Sequence, residues 1–392
     1  MSKEIKERRA NSVNVPESKR AVIVDRDGVA TKKRGSFWGG FILAVALVIA
    51  VIALVIFIIN SVVNSYYSKI DGTQYDEKDI VASDIPDKIS TSNMFLYDDS
   101  VVKNDAYHVI RDNALLNFAE ASCSIKKDEN IYNYIIFGVD KLDDTAGEAQ
   151  ADVILIASIN KATNKVIYAT IEARALAYIP VVNKVGALKD AYEWGGAALL
   201  AKTVSYNYGI SVNGYIELNM NGCATIVDAV GGITLELSDA DIAAANESVK
   251  AIKNVFSGLE VSEIVKGDDG KVKLDGNQTL AYIRGTKESR STAITNILKE
   301  ASMSAFKKGF GGVKAYINAI SDNAKTSANK SDFVNIFRLV FSSAKKTNVE
   351  TLSVGESTLT RTKVTDKAQY AYSFDYAKER AALITALYGE QK

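Results

Sequence analysis

The chain holds one histidine, two cysteines and three prolines in 392 residues, and each shortage removes a class of function. The lone His108 is far in sequence from the charged strand ends considered below. Ser/His/Asp catalysis, Cys/His catalysis and a histidine-rich zinc site are therefore disfavoured, and His108 reads as a half-buried surface residue. Cys123 and Cys223 lack metal-type spacing. Three prolines and the absence of any long Gly/Ser or Gln/Asn tract imply no extended linker beyond the N-terminal tail. No internal repeat is visible. Net charge is missing too, with 47 basic against 47 acidic residues, although the balance is local. The residues before Ser36 carry ten Lys or Arg against five Asp or Glu, which leaves the remainder mildly acidic.

Charge is also absent from Ser36 to Ser68, where Phe41–Ile59 reads FILAVALVIAVIALVIFII. That run is about the 20 apolar residues that a helix needs to cross a bilayer. A cleaved signal peptide has an apolar region nearer 7–15 residues and a small-x-small site after it, which Asn60–Val63 does not supply. A retained anchor is expected over 36–65. Lys32, Lys33 and Arg34 abut it on the N-terminal side, so the positive-inside rule leaves residues 1–35 as a basic cytoplasmic tail and sends the rest outside. Trp38, Tyr66 and Tyr67 suit the two lipid interfaces. The tail lacks a helix-turn-helix-sized unit, so its basic residues point to topology and the lipid bilayer, with no nucleic-acid partner. Outside the membrane a disulfide between Cys123 and Cys223 is chemically permitted, while Cys223 in the apolar run GCATIVDAVGG is as readily a small buried residue.

After the span, 66–129 reads as a stalk or accessory segment, and one domain is expected over 130–392. Its first strand is YNYIIFGVD, ending on Asp140. A polar loop follows, then two β-branched runs, Val153–Ile159 and Val166–Ile171, joined by the turn Asn160–Lys165 as a hairpin. A turn centred on Ala162 and Thr163 brings Asp152 opposite Ala173 or Arg174, gathering charge at one edge of an apolar sheet. Lys189–Tyr208 has the spacing of an amphipathic helix stopped by Gly209. Gly214–Asn219 and Ile233–Leu237 read as strands around a helix at Gly222–Ala229. Asp239–Lys273 reads as an insertion or lid. Helices are expected over Ser291–Phe310, Gly312–Ala324, Ser331–Ala344 and Ala368–Tyr388, with an edge strand at Thr351–Val354. Strands alternating with helices indicate an α/β layered domain, with helices on both faces of a mixed sheet.

The order of these pieces, IIFGVD, ADVILIASIN, KVIYATI, DAYEWGGAALLAKTV, DAVGGITLEL and LDGNQTLAYIRGTKESR behind a basic tail and one span, resembles the LytR-CpsA-Psr envelope proteins over roughly Ile131–Glu300. The resemblance implies an αβα sandwich with a mixed central sheet, preceded by one N-terminal transmembrane helix. It implies an apolar channel for a polyprenyl chain, with arginines, aspartates and Mg²⁺ at its mouth to hold the pyrophosphate. The activity it implies moves a glycopolymer from a polyprenyl-pyrophosphate carrier onto peptidoglycan at the outer membrane face of a Gram-positive envelope. The alternative is a non-catalytic relative that binds polyprenyl lipid or serves as an envelope scaffold or regulator.

Carried onto this sequence, the resemblance makes Asp140 and Asp152 the metal ligands and, with Arg284, the catalytic set. Arg174, Lys189 and Arg290 become the candidate substrate-binding residues. Phosphoryl transfer needs cations to neutralise oxygens and carboxylates to hold the metal, which accounts for charge at the sheet edge. Several positions depart from the family pattern. The arginine before Asp152 is Gln150, the second arginine after Arg284 is Thr286, and the Arg-Gln beyond Arg290 is Ala293-Ile294. Arg174 is displaced by one residue, which turns it to the opposite strand face unless a bulge intervenes. Plainer readings stand beside these: Asp140 and Asp152 as turn or cap residues, and Arg174 as an ion pair with Glu172 or Asp152.

Overall fold

The computed structural model describes residues 124–139, 150–182, 184–255, 261–286, 290–328, 348–363 and 370–389, with short pieces elsewhere. Residues 1–59 form a unit of their own, in which Val22–Val24 pairs antiparallel with Ala30–Lys32. The apolar run 41–59, the helix expected over Ser331–Ala344 except for Asp332, Cys123 and Asp140 lie outside the described residues. Among the described residues, no helix is long and apolar enough to cross a membrane.

The second unit is built on a six-stranded mixed sheet. In chain order its parts are β1 (Ile131–Val139), β2 (Ala151–Asn160), β3 (Lys165–Ile171), the short β4 (Leu176–Ile179) and β5 (Lys184–Ala187), α1 (Asp190–Tyr208), β6 (Gly214–Leu218) and α2 (Met220–Ala229). There follow β7 (Ile233–Leu235), α3 (Asp239–Val255), β8 (Val272–Leu274), α4 (Gly276–Gly285), α5 (Arg290–Lys307), α6 (Gly309–Asn323), β9 (Ala324–Thr326), β10 (Asn348–Val354), β11 (Thr360–Lys363), β12 (Tyr370–Ser373) and α7 (Tyr376–Tyr388). The sheet order is β9-β6-β1-β2-β3-β10, parallel at β6/β1 and β3/β10 and antiparallel elsewhere.

The β2/β3 hairpin forms as its residues dictate. Asn160 Oδ1 accepts from the backbone N–H groups of Ala162 and Thr163 at 3.0 and 3.1 Å, and Asn164 takes the left-handed φ of 55°, which asparagine tolerates in turns. The register Asn160↔Lys165 to Ile154↔Ile171 follows, and the pairing stops there, short of Asp152 and Ala173.

Alternation divides the apolar side chains between two layers. Ile135, Phe137, Ile154, Ile156, Ile167 and Ala169 face α1 and α7, meeting Leu199, Leu200, Val204, Leu383 and Leu387. On the other face Leu155, Ala157, Val166 and Tyr168 meet Ile294 of α5, and Leu218 meets Ile226 of α2 and Ala319 of α6. The Tyr168 hydroxyl and Ser302 Oγ share a buried 2.8 Å hydrogen bond that pins α5 to β3. This is the αβα sandwich expected. Beyond it, the β7/β8 ribbon with α3, α4 and α5 encloses a third core around Tyr282, Leu274 and Ile252, so the segment read as an insertion or lid packs on the helical layer.

Three expectations need correction. The helix read over Ala368–Tyr388 starts at Tyr376; Asp375 caps it by accepting from Lys378 N at 3.0 Å, and Tyr370–Ser373 is a strand paired with β11. The helix α1 is not a regular amphipathic rod: Gly195 and Gly196 leave helical geometry, Gly196 at φ 65°, and residues on most sides of its last turns are buried. The third concerns Arg174. β3 ends at Ile171 and Glu172–Arg174 is a turn, so strand alternation does not set where Arg174 points.

Candidate functional site

The C-terminal ends of β1 and β3 and the start of β2 share one edge of the sheet. There Gly138 pairs with Val153 but Val139 pairs with Ala151, so Asp152 is the extra residue of a β-bulge. Bulges re-aim side chains at sheet rims, and Asp152 is exposed although both neighbours in the chain are less so. A bulge therefore exists at the rim, but it carries the acid rather than the arginine.

Beside it stand two separate constellations. In the first, Lys189 Nζ donates to Gln150 Oε1 at 2.7 Å and Gln150 Nε2 donates to Glu193 Oε2 at 3.4 Å. The start of α1 is locked to this place because Lys189 N donates to Ala173 O at 2.8 Å. Next to Lys189, Asp190 is 2% exposed and accepts from Ala187 N at 2.9 Å; burial, against the pull of that hydrogen bond, pushes its carboxyl up to about 7. Gly186 packs closely here: a Cβ on it would stand 3.0 Å from Asp190 Oδ2 and 3.4 Å from Trp194.

In the second constellation Arg174 Nε donates to Glu172 Oε1 at 2.7 Å, and the guanidinium lies over the ring of Tyr372, 4.4 Å from its centroid. The ion pair with Glu172 entertained from sequence is thus present. Hydrogen bonding to Glu172 is the main influence raising the Arg174 pKa, and Asp152 adds a weaker attraction. Tyr372 could not have been found by motif: it comes from β12, 198 residues away.

Arg284 sits exposed on the last turn of α4, with no ion pair among the described residues. Its helix is placed by a capping box, in which Asp275 accepts from Gln278 N at 2.7 Å and Gln278 Oε1 accepts from Asp275 N at 3.0 Å. Thr286, two residues on, has a buried Oγ1 without a hydrogen-bond partner among the described residues. Arg290 opens α5. No described hydrogen bond joins Arg284 to Asp152, Arg174 or Lys189.

Between the sheet and α2, α4, α5 and α6 lies a cavity of about 120 Å³ walled almost wholly by apolar side chains. Its walls include Gly138, Val153, Ile283 and Ile294. Val153 directly follows Asp152, Ile283 directly precedes Arg284, and Gly138 is two residues before Asp140. Chain neighbours of Asp152 and Arg284 thus wall the apolar hollow. Cys223 lines it as a free thiol, and burial pushes that thiol up to about 12.

A model of the LytR_cpsA_psr family matches residues 93–386. The polyisoprenyl-teichoic acid–peptidoglycan teichoic acid transferase TagU of Enterococcus faecalis is 26% identical over 237 residues, covering 56% of this chain and 70% of that protein. The protein of the same name from Oceanobacillus iheyensis is 29% identical over 168 residues, covering 41% of this chain and 46% of its own length. Among solved structures, the LytR-CPS2A-psr family protein YwtF (TagT) with bound octaprenyl pyrophosphate lipid matches with a TM-score of 0.50 at 18% identity, over 67% of this chain and 94% of that one. That match is a likeness of fold.

Proposed function

Because the chain belongs to the LytR-CpsA-Psr family, we propose that it transfers a glycopolymer from a polyprenyl-pyrophosphate carrier to peptidoglycan, as the names of its TagU relatives describe for teichoic acid. One observation carries the reading: an apolar cavity whose walls are chain neighbours of Asp152 and Arg284. A polyprenyl tail gains about 0.8 kcal/mol for each carbon it buries, so a five-carbon unit inside contributes roughly 4 kcal/mol. The space of about 120 Å³ is of the order of a benzene-sized void. A longer chain enters only as the helices draw away from the sheet.

At the rim, Arg284 would neutralise phosphate oxygens, with Lys189, Arg174 and Arg290 as further cations. Asp152 offers a hard carboxylate in an exposed position, which fits a Mg²⁺ that keeps several waters. Asp140 would be its companion. A bound Mg²⁺ supplies charge neutralisation to the phosphates. The acceptor's sugar hydroxyl attacks the phosphorus that bears the glycopolymer, the bond from that phosphorus to the bridging oxygen breaks, and polyprenyl phosphate leaves. Asp152 or Asp140 accepts the hydroxyl proton, and the cations hold the departing phosphate.

The uncharged run over 36–65 behind Lys32, Lys33 and Arg34 supports a single span, with residues 1–35 cytoplasmic and the domain at the outer face. Protease treatment of intact cells is expected to remove the domain and spare the tail.

The test is turnover by the full chain in detergent with Mg²⁺ and a polyprenyl pyrophosphate. With water taking the place of the sugar hydroxyl at the terminal phosphorus, release of inorganic phosphate and polyprenyl phosphate is expected, and Arg284→Ala abolishes it. A non-catalytic lipid-binding relative is favoured by Gln150 and Thr286 standing where the family pattern has arginines. Tight lipid binding without turnover selects that reading, and absence of both removes the two together.

A further inference from the structure

Arg174 is one residue out of step with the family pattern, yet its guanidinium is fixed by two groups. Glu172 meets one edge at two points, Oε1 at 2.7 Å from Nε and Oε2 at 3.3 Å from NH2. The guanidinium carbon lies over the Tyr372 ring, 4.4 Å from its centroid, and the Tyr372 hydroxyl accepts from NH1 at 3.3 Å. The Tyr372 backbone is itself bridged to Ala175, which holds the strand that bears the ring next to the turn that carries Arg174. We propose that Tyr372 is a positioning residue for Arg174, and that Glu172 stands in for the ligand's phosphate and is displaced by it when the headgroup binds. This rests on the phosphate-binding reading above.

The geometry favours such an exchange. A two-point carboxylate on a guanidinium edge occupies the same positions that two phosphate oxygens take. The Arg174 and Glu172 side chains are 54% and 22% exposed, and ion pairs open to water are weak, so a more highly charged anion replaces the carboxylate readily. The contact with Tyr372 engages the ring face and NH1, and leaves Nε and NH2, the donors that face Glu172, free to change partner. Tyr372 thus keeps the guanidinium at the rim, within reach of the field of Asp152, while Glu172 is exchanged.

The experiment measures inorganic pyrophosphate binding by calorimetry to the full chain in detergent. Glu172→Gln, Tyr372→Phe and Tyr372→Leu are each made with Arg174 present and with Arg174→Ala. Glu172→Gln is expected to tighten binding about three- to tenfold by removing the competing anion. Tyr372→Phe weakens it about twofold and Tyr372→Leu about tenfold. All three effects vanish beside Arg174→Ala, as coupling through one side chain requires. Equal effects in both backgrounds, or none in either, overturn the proposal. If the wild type binds no pyrophosphate, the phosphate-binding reading and the exchange fall. The positioning is then decided without ligand, by hydrogen exchange at Arg174 Nε in ¹⁵N-arginine protein. Exchange slow in the wild type and fast in Tyr372→Leu sustains it, and identical rates overturn it.

Discussion

Gln150 accepts from Lys189 Nζ through its amide oxygen at 2.7 Å, at the position where the sequence resemblance leads one to expect an arginine. A neutral side chain therefore holds an ammonium at the rim, and Glu193 lies at the other end of the same amide. A guanidinium in that position would find Glu193 already oriented to receive it. Gln150→Arg is expected to strengthen pyrophosphate binding about tenfold or more, since a charge-assisted bond is worth roughly 1.5–3 kcal/mol. Titration calorimetry reads the gain, and an unchanged affinity places the anion away from the start of β2.

The Cys223 thiol, with a pKa near 12, reports on the cavity. With Cys123→Ser removing the other thiol, the remaining one is expected to react with a disulfide reagent at pH 8 on the order of a thousandfold more slowly than a free cysteine, following its thiolate fraction. Polyprenyl phosphate slows it further. A rate typical of an exposed thiol would show that the helices do not close over the sheet.

Asp190 makes stability depend on pH. Its carboxyl titrates near 7 when folded against 3.8 for the unperturbed group, so the folded state binds more protons between those values and stability falls as pH rises through that window, by up to about 1.4 kcal/mol per unit. Asp190→Asn keeps an acceptor for Ala187 N and removes the titration. The variant is expected to gain on the wild type from pH 4 to 7 and to hold a constant offset above. Urea unfolding at several pH values decides it, and parallel curves refute it.

Glu379 ties the chain after β10 to α7: its carboxylate accepts from Gly355 N at 3.0 Å and Thr358 Oγ1 at 2.9 Å, and it is 8% exposed. Glu379→Leu leaves those donors unmet and is expected to cost about 2–4 kcal/mol, visible as a lowered melting temperature. A change below about 0.5 kcal/mol would mean that water replaces the carboxylate without penalty.

Much of the sandwich could be read in advance because its central strands are written plainly. Val153–Ile159 and Val166–Ile171 are β-branched runs around an Asn-led turn, and the turn centre alone fixes a register that the folded hairpin keeps. The four-residue β4, β5 and β12 are not legible in the sequence, since so few residues show no period and their pairing is decided by what they pack on. The capping box of α4 is legible in LDGNQT, with Asp275 three residues before Gln278. The site divided in the same way. Asp152 and Arg284 are candidates through motif resemblance, whereas the Gln150–Lys189 contact and the Arg174–Tyr372 contact join residues that only the tertiary fold makes neighbours.

The parallel pairing of β3 with β10 joins Lys165 to Asn348, and β12, which carries Tyr372, comes later still. A ribosome must therefore deliver nearly the whole chain before β3 gains its second neighbour. Until then the hairpin presents an open edge to any other extended polypeptide. A nascent chain halted after α6 would be a candidate for chaperone capture or misassembly, and the rate at which the finished protein appears should be set by this last, distant closure rather than by the early hairpin.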